Sequence, residues 1–339
     1  MPKIIGFNTV ILESKPTVIG YAAAVGKKES EGPLAQYFDK AYADEFCGEK
    51  TFEKAETHLQ KAAIETALKK ARLSKTDIQC AFAGDLLNQC IGSSFGMRDL
   101  KFPFAGLYGA CSTMALSLAL AGIFVDSGAA RNAVAAASSH FCSAERQYRM
   151  PLEYGGQRSP AAQWTVTGAG CAVVSNKEKE NAPCIEKVII GAVRDLGITD
   201  PNNMGAAMAP AALSTIKAHF CDLGTTADDY DLIVTGDLGQ LGKEVLLTMT
   251  QAENLSIGGK LADCGTLVFD ILKQDVHSGG SGCGCSAITL CGYLLDQLNA
   301  GKLKRILFCG TGALLSPTST QQGLPIPGVC HAVCIEGVK

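Results

Sequence analysis

The apolar positions of this chain follow two patterns, one at helical spacing and one of short, uniformly apolar runs. Residues 52–71 carry apolar side chains at helical spacing with lysines and glutamates opposite, which predicts an amphipathic helix. Residues 78–83, 134–137, 232–235 and 306–309 are uniformly apolar, as is typical of strands covered by helices on both faces. Residues 112–125 are almost continuously apolar and predict a buried helix that ends near Gly128.

The same order of elements occurs twice. The motifs at 109–113 (GACST) and 284–286 (GCS) each open a helix of small residues, and an arginine, Arg131 or Arg305, follows each serine by 19 positions. A Gly-Asp-Leu triplet follows an apolar strand in both halves, at 84–86 and 236–238. These matches predict an internal duplication of an αβαβ unit. The polar stretch 176–183 is the predicted junction, giving halves 1–180 and 181–339.

Composition narrows the class of protein. With 47% hydrophobic and 19% charged residues the chain is folded, not disordered. With a net charge of −3 the chain has no excess of lysine and arginine to pair with phosphates, so we expect no nucleic-acid partner. No apolar run reaches the ~20 residues that span a bilayer, and the N-terminus lacks a signal-peptide core, so we expect a cytoplasmic protein.

The chain's 15 cysteines and five histidines show no metal-ligand spacing. An odd number of cysteines, most of them in predicted strands or buried helices, indicates small apolar residues in a reducing compartment. We therefore predict neither a metal site nor a cofactor.

Cys111 is the first candidate for chemistry. A cysteine at the start of a buried helix meets unpaired N–H groups and the helix dipole, which favour a thiolate. That placement suits either an acyl-transfer nucleophile or an anion-binding pocket. The long segment 138–167 is predicted to be irregular, and loops of that length in compact domains are usually functional.

Several motifs together resemble the thiolase and ketoacyl-synthase superfamily, and within it a family of sporulation proteins of spore-forming bacteria. The matching segments are 31–34 (EGPL), 84–89 (GDLLNQ), 109–113 (GACST), 138–140 (SSH), 144–147 (AERQ), 153–157 (EYGGQ), 195–200 (DLGITD), 207–210 (AMAP), 263–265 (DCG), 279–283 (GGSGC) and 311–317 (TGALLSP).

The resemblance implies a five-layer αβαβα fold built from two duplicated half-domains, assembled as a homodimer. It also implies binding of dipicolinic acid (pyridine-2,6-dicarboxylate), free or as its calcium chelate. The implied role is uptake of this compound into the developing spore and its release on germination. The implied partners are other proteins of the stage V sporulation A operon, which would hold the chain peripherally at the spore inner membrane.

Three functions stay open at this point. Condensing enzymes need imidazole or amide groups from the second half, and the segment after strand 232–235 reads TGDL without the histidine of ketoacyl synthases. His277 is only superficially similar to a thiolase histidine. A dicarboxylate receptor without turnover is therefore favoured. The alternatives are a thiolase-like acyltransferase with Cys111 as catalytic nucleophile, and a scaffold that only docks other sporulation proteins.

A receptor needs a flat apolar slot, with N–H groups or cations for the carboxylates. The helix starts supply backbone donors, glycines at 279–282 allow close approach, and histidine and arginine supply positive charge. The predicted ligand-binding residues are Cys111, Ser112, Asp85, Asn88, His140, Arg146, Arg149, Tyr154, Gly280, Ser281 and His331.

Overall fold

The computed structural model describes residues 1–148, 158–177 and 182–338. The strands in these ranges are β1 (Lys3–Ile5), β2 (Thr9–Ile11), β3 (Thr17–Val25), β4 (Lys40–Ala41), β5 (Cys80–Gly84), β6 (Phe104–Gly106), β7 (Asn132–Ser139), β8 (Trp164–Thr165), β9 (Gly168–Ser175), β10 (Cys184–Ile189), β11 (Leu232–Thr235), β12 (Leu261–Asp263), β13 (Gly280–Ser281), β14 (Arg305–Ala313) and β15 (Gly328–Glu336). The helices are α1 (Lys27–Ser30), α2 (Phe52–Ala71), α3 (Ile91–Leu100), α4 (Thr113–Asp126), α5 (Phe141–Tyr148), α6 (Met204–Leu223), α7 (Gly239–Ala252), α8 (Cys264–Val268), α9 (Cys283–Ile288), α10 (Leu295–Asn299) and α11 (Pro317–Gln321). A π-helical segment, Thr289–Leu294, joins α9 to α10.

The strand order shows the duplication directly. The first half places its strands in the order β6-β5-β7-β9-β3, and the second half in the order β12-β11-β14-β15-β10. Numbered along each half, both orders read 3-2-4-5-1, with the same parallel and antiparallel neighbours. The halves meet edge to edge where β3 pairs with β10 at Thr17 and Cys184. The predicted duplicated half-domains are confirmed.

Helices form three of the five layers. Helices α2 and α3 cover the outer face of the first sheet, and α6 and α7 cover the outer face of the second. Helix α4 contacts strands of both sheets, and α9 contacts α4 and the first sheet. Three buried apolar clusters fill the spaces, one around α4 and α9 and one under each outer helix pair. The uniformly apolar strands are thus covered on both faces, as predicted.

The central layer depends on small residues. A Cβ at Gly170 on β9 would lie 2.3 Å from the carbonyl oxygen of Ala287 on α9, and one at Gly310 on β14 would lie 2.5 Å from the Cβ of Ala115 on α4. Backbone therefore packs directly on backbone or on alanine. This close packing brings the starts of α4 and α9 together.

Two elements differ from the prediction. The apolar residues 102–108 predict a buried strand, but β6 is only three residues long and lies at the edge of the sheet, where it pairs with β5 alone. Pro103, which lacks an N–H, directly precedes it, as is typical of edge strands. The segment expected to be irregular after residue 138 holds α5. The buried residues of α5 are Ser143, Ala144 and Glu145, and two of these are polar. The segment therefore lacks the helically spaced apolar residues that predict a helix. Within the described residues, no helix combines the length and apolarity needed to cross a membrane.

Replacing Gly170 by alanine tests the close packing of the central layer. We expect Gly170→Ala to lower the free energy of unfolding by roughly 1–3 kcal/mol, because the added methyl overlaps backbone that cannot move freely. The matched control is Gly259→Ala, where a Cβ meets open space, with a change within about 0.5 kcal/mol. Denaturant titration measures both, and equal stabilities would contradict this account of the packing.

Candidate functional site

Cys111 lies where it was predicted, two residues before the start of α4. The turn before it is tight. Ala110 has a positive φ of 48°, and the hydroxyls of Ser112 and Thr113 donate back to the carbonyls of Gly109 and Ala110, both at 2.6 Å. Only 6% of Cys111 is exposed.

The charge state of Cys111 differs from the prediction. Burial raises the pKa of its thiol well above the ordinary value, and the neighbouring carboxyl of Asp237 raises it further. The N–H of Gly282 and the hydroxyl of Ser281 act in the opposite direction but do not prevail. The helix start therefore does not produce a thiolate here, since loss of water and a carboxyl outweigh the dipole.

Asp237 joins the two halves at this point. It follows β11 and is completely buried. Its Oδ2 accepts the N–H of Gly282, which precedes α9, at 2.9 Å and the hydroxyl of Ser281 at 3.2 Å, while its Oδ1 accepts the hydroxyl of Thr311 at 2.9 Å. Burial raises the pKa of Asp237 to about 6 despite these donors. Its carboxyl thus lies at the start of the second buried helix and beside the thiol at the start of the first.

A second buried carboxyl holds the loop that carries Asp237. Asp263 accepts the N–H groups of Leu238 and Gly239 at 2.8 and 3.0 Å and the hydroxyl of Thr235 at 2.7 Å. Burial raises its pKa to about 7, and the charge of Asp237 contributes to the rise. Four donors fix this aspartate, including the N–H of Thr266.

A narrow cleft lies between the halves in front of Cys111, with a volume of about 40 Å³ inside and about 430 Å³ when its open mouth is counted. Both halves supply walls. The first half contributes Leu86, Tyr108, Ala110, Cys111, Ala144, Glu145, Tyr148 and Thr165, and the second contributes Met204, Ser281, Ala313 and Leu315. Most of the wall is apolar, and hydroxyl groups stand at several points around it.

Two tyrosines and a glutamate provide most of the polar wall. The hydroxyls of Tyr108 and Tyr148 lie 2.5 Å apart, and Tyr148 also donates to the carbonyl of Leu86. Tyr108 is 46% exposed, which places it towards the mouth of the cleft. Glu145 is buried and accepts the hydroxyl of Thr165 at 3.2 Å.

The expected positive charge is not found on the described walls. Arg146 points away from the cleft and pairs with Glu53. His140 is buried behind the wall, where its Nε2 bonds the carbonyl of Glu45 at 2.7 Å and its Nδ1 accepts the N–H of Cys142. Burial lowers the pKa of His140, so its ring is neutral. Among the lining residues that the structure describes, the one formally charged side chain is that of Glu145.

Three other predicted residues serve the framework. Asp85, the counterpart of Asp237, accepts the N–H of Leu87 at 2.9 Å. It also accepts both the N–H and the hydroxyl of Ser93 at 2.7 Å. Asp85 therefore ties the loop before α3 to the first turn of that helix. Ser112 is buried in its turn. Asn88 is exposed, and its N–H donates to Gln147. None of the three lines the cleft.

The remaining candidate residues divide into four groups. Ser281 and Cys111 line the cleft. Gly280 lies in β13 beside β8, behind the wall, and His331 lies in β15, where its Nδ1 accepts the N–H of Gly191 and burial lowers its pKa to about 4. His277 pairs with Asp275 and is not a wall residue. Arg149 and Tyr154 lie outside the described residues.

The sequence did not reveal most of the wall. Tyr108, Glu145, Tyr148 and Thr165 were not among the predicted ligand-binding residues, and Asp237 was noted only as part of the repeated Gly-Asp-Leu triplet. One signal was available for Asp237, since the repeated Gly-Asp-Leu triplet places it after a strand beside the second glycine-rich turn. Glu145, Tyr148 and Thr165 come from the segment that was predicted to be irregular, and Tyr108 directly precedes the GACST motif.

Solved structures identify the class of fold. The chain is similar to 3-oxoacyl-[acyl-carrier-protein] synthase III from Aquifex aeolicus VF5, with a TM-score of 0.58 and 15% identity over 95% of this chain and 99% of that one. It is also similar to cerulenin-bound OleA from Xanthomonas campestris, with a TM-score of 0.60 and 15% identity over 98% of both chains. The fold is that of the thiolase-like condensing enzymes.

The sequence comparison identifies the family. The family model described as Stage V sporulation protein AD (SpoVAD) matches residues 6–336. The Stage V sporulation protein AD of Bacillus subtilis (strain 168) is 46% identical over 334 residues, which cover 98% of each chain. The chain therefore belongs to the stage V sporulation protein AD family, and it is a sporulation protein with a thiolase-like fold.

Alkylation of Cys111 tests the electrostatic influence of Asp237. We expect slow labelling by iodoacetamide near neutral pH, because the thiol is neutral. Asp237→Asn removes the charge that raises the thiol pKa, so labelling at about pH 8 is expected to quicken about threefold or more. Peptide mass spectrometry separates Cys111 from the exposed Cys221.

The matched control for this labelling experiment is Asp270→Asn. Asp270 lies at the surface beside Lys273, and its replacement leaves the rate at Cys111 unchanged. Rapid labelling of the unmodified protein, or a rate that Asp237→Asn leaves unaltered, would show that Asp237 does not control this thiol.

Proposed function

We propose that this sporulation protein binds dipicolinic acid, free or as its calcium chelate, in the cleft between its halves and does not turn it over. By this binding it supports uptake of the compound into the developing spore and its release on germination. The family membership supports the sporulation role, and the cleft supports binding in place of catalysis.

One observation carries the proposal: a buried carboxyl adjoins the cysteine, and no imidazole lines the described part of the cleft. Acyl transfer needs a thiolate and groups that stabilise the developing oxyanion. Asp237 disfavours the thiolate and occupies the N–H of Gly282, a backbone donor at the start of α9. The arrangement retains a pocket and lacks the activated nucleophile.

The residue types in the walls support binding of a flat aromatic acid. Leu86, Met204 and Leu315 provide apolar surface for a ring. The hydroxyls of the tyrosine pair, Thr165 and Ser281 now donate within the protein, and each would turn from its present acceptor to donate to a carboxylate of the ligand. Hydroxyl donors of this kind can satisfy an anion without a cationic partner, although they contribute less than an arginine would. The calcium chelate carries less negative charge than free dipicolinate, which suits a cleft with a glutamate in its wall.

Assembly is a separate part of the proposal. We propose a homodimer that docks on other proteins of the stage V sporulation A operon, so that any attachment to the spore inner membrane is peripheral. The support for this part of the proposal is the family membership.

Calorimetric titration with dipicolinate tests the proposed function. We expect saturable binding of pyridine-2,6-dicarboxylate, with and without calcium, and weaker binding of the 3,5-isomer, whose carboxylates are spaced differently. Ala144→Leu places a larger side chain in the cleft wall and is expected to weaken binding about tenfold or more. Cys111→Ala is expected to keep the affinity within about threefold, because the thiol does no chemistry.

The control is Ala252→Leu at the exposed end of α7, which leaves binding unchanged. A spore-forming host that carries Ala144→Leu in its own copy is expected to make spores poor in dipicolinate at a normal protein level. Absence of saturable binding to both the free acid and the chelate would refute the receptor. Acylation of Cys111 by a thioester, detected by intact mass, would support the acyltransferase instead.

A further inference from the structure

Asp237 is the carboxyl group that lies at both buried helix starts, and the proposed function uses it only to explain why the thiol is unreactive. It lies directly behind two residues of the cleft wall, Cys111 and Ser281. It accepts hydrogen bonds from Ser281, from Gly282 at the start of α9 and from Thr311 on β14. A resident carboxyl therefore occupies donors that an incoming carboxylate would otherwise use.

We propose that binding of an anion in this cleft is coupled to uptake of a proton by Asp237, so that the site binds in mildly acidic conditions and releases as the pH rises. This inference rests on the proposed function and adds its regulation. It follows from the geometry. An ionised Asp237 repels an anion placed against Cys111 and Ser281, and a protonated Asp237 does not.

The titratable groups that interact with Asp237 in the described structure include no cation that offsets its charge directly. The titratable groups that face it are Cys111 at α4, Asp263 at the end of β12, Cys264 on α8 and Cys285 on α9, and Glu145 lies across the cleft on α5. These are acids and thiols. In a site of low dielectric, like charges at close range are expensive to hold together.

The thiols and the carboxyl groups around this site titrate in different pH ranges. Burial raises the thiol pKa values of Cys111, Cys264 and Cys285 well above the ordinary value, so these groups stay neutral near pH 7. Burial raises the pKa of Asp237 to about 6 and that of Asp263 to about 7. Asp263 lies a layer further back, because its oxygens bond Leu238, Gly239 and Thr235 and it is not a wall residue.

The direction of the pH dependence follows from linkage. A bound anion favours the protonated form of Asp237 and raises its pKa in the complex. Between the pKa of the free protein and that of the complex, each ligand takes up close to one proton, and the affinity falls by up to about tenfold per pH unit as the pH rises. Above about pH 6 an ordinary dicarboxylate is fully ionised, so its own titration does not contribute.

Calorimetry at about pH 6, 7 and 8, in two buffers of different ionisation enthalpy, measures both affinity and proton uptake for dipicolinate. For the unmodified protein we expect weaker binding at each step and a net uptake that approaches one proton. Asp237→Asn imitates the protonated acid. We expect it to take up no proton and to bind at about pH 8 nearly as well as the unmodified protein binds at about pH 6.

A second variant covers the case in which Asp237→Asn fails to fold. Thr311→Val removes a hydroxyl that stabilises the Asp237 carboxylate and keeps the side-chain shape. It raises the Asp237 pKa, so the loss of affinity is expected at a higher pH than in the unmodified protein. Asp270→Asn at the surface is the control and leaves the profile unaltered.

The outcomes separate this inference from the proposed function. Binding that does not vary with pH, or a profile that Asp237→Asn leaves intact, overturns the proton coupling while the receptor stands. A profile lost in Asp263→Asn but kept in Asp237→Asn overturns the assignment to Asp237. Absence of dipicolinate binding at every pH overturns both proposals.

Discussion

The contact that organises this molecule is the meeting of two buried helix starts around one carboxyl group. Asp237 belongs to the second half, bonds the start of α9 and raises the pKa of the thiol at the start of α4. The hydroxyl of Ser286 reaches the carbonyl of Cys111 across the same junction. This arrangement depends on packing so close that glycines such as Gly170 and Gly310 have no room for a side chain. Duplication supplies the two helix starts, and small residues let them meet.

The same junction explains why a condensing-enzyme fold would serve for binding. A nucleophilic cysteine requires groups that stabilise its thiolate, and here burial and a carboxyl act in the opposite direction. The cleft does not require a reactive cysteine, because residues of both halves form its walls. Its wall is mostly apolar, and its tyrosines, Glu145 and hydroxyls add polar groups at several points. Under the proposed function, this chain keeps the fold of the condensing enzymes and uses it for binding, since one fold can carry different functions.

The sequence predicted the architecture well and the site poorly, for physical reasons. Periodicity and repetition are properties of long segments, so helix α2, the apolar strands and the duplicated halves could be predicted. The position of Cys111 also followed from its motif. Its charge state did not, because that depends on Asp237, which lies 126 positions along the chain and reaches it only through the fold. His140, His331 and Asp85 were plausible ligands by residue type, yet each is satisfied by a local partner behind the wall. Glu145 and Tyr148 lie on α5, which was not predicted as a helix because its buried face is largely polar.

A crystal structure of the protein soaked with dipicolinate tests the central claim most directly. The account predicts one molecule of the acid in the cleft between the halves. Its ring would lie against the apolar wall and its carboxylates near the tyrosine pair and Ser281, and the sulfur of Cys111 would be unmodified beside it. Density for the ligand at another surface, with the cleft closed by side chains, would contradict the account, as would a covalent adduct on Cys111.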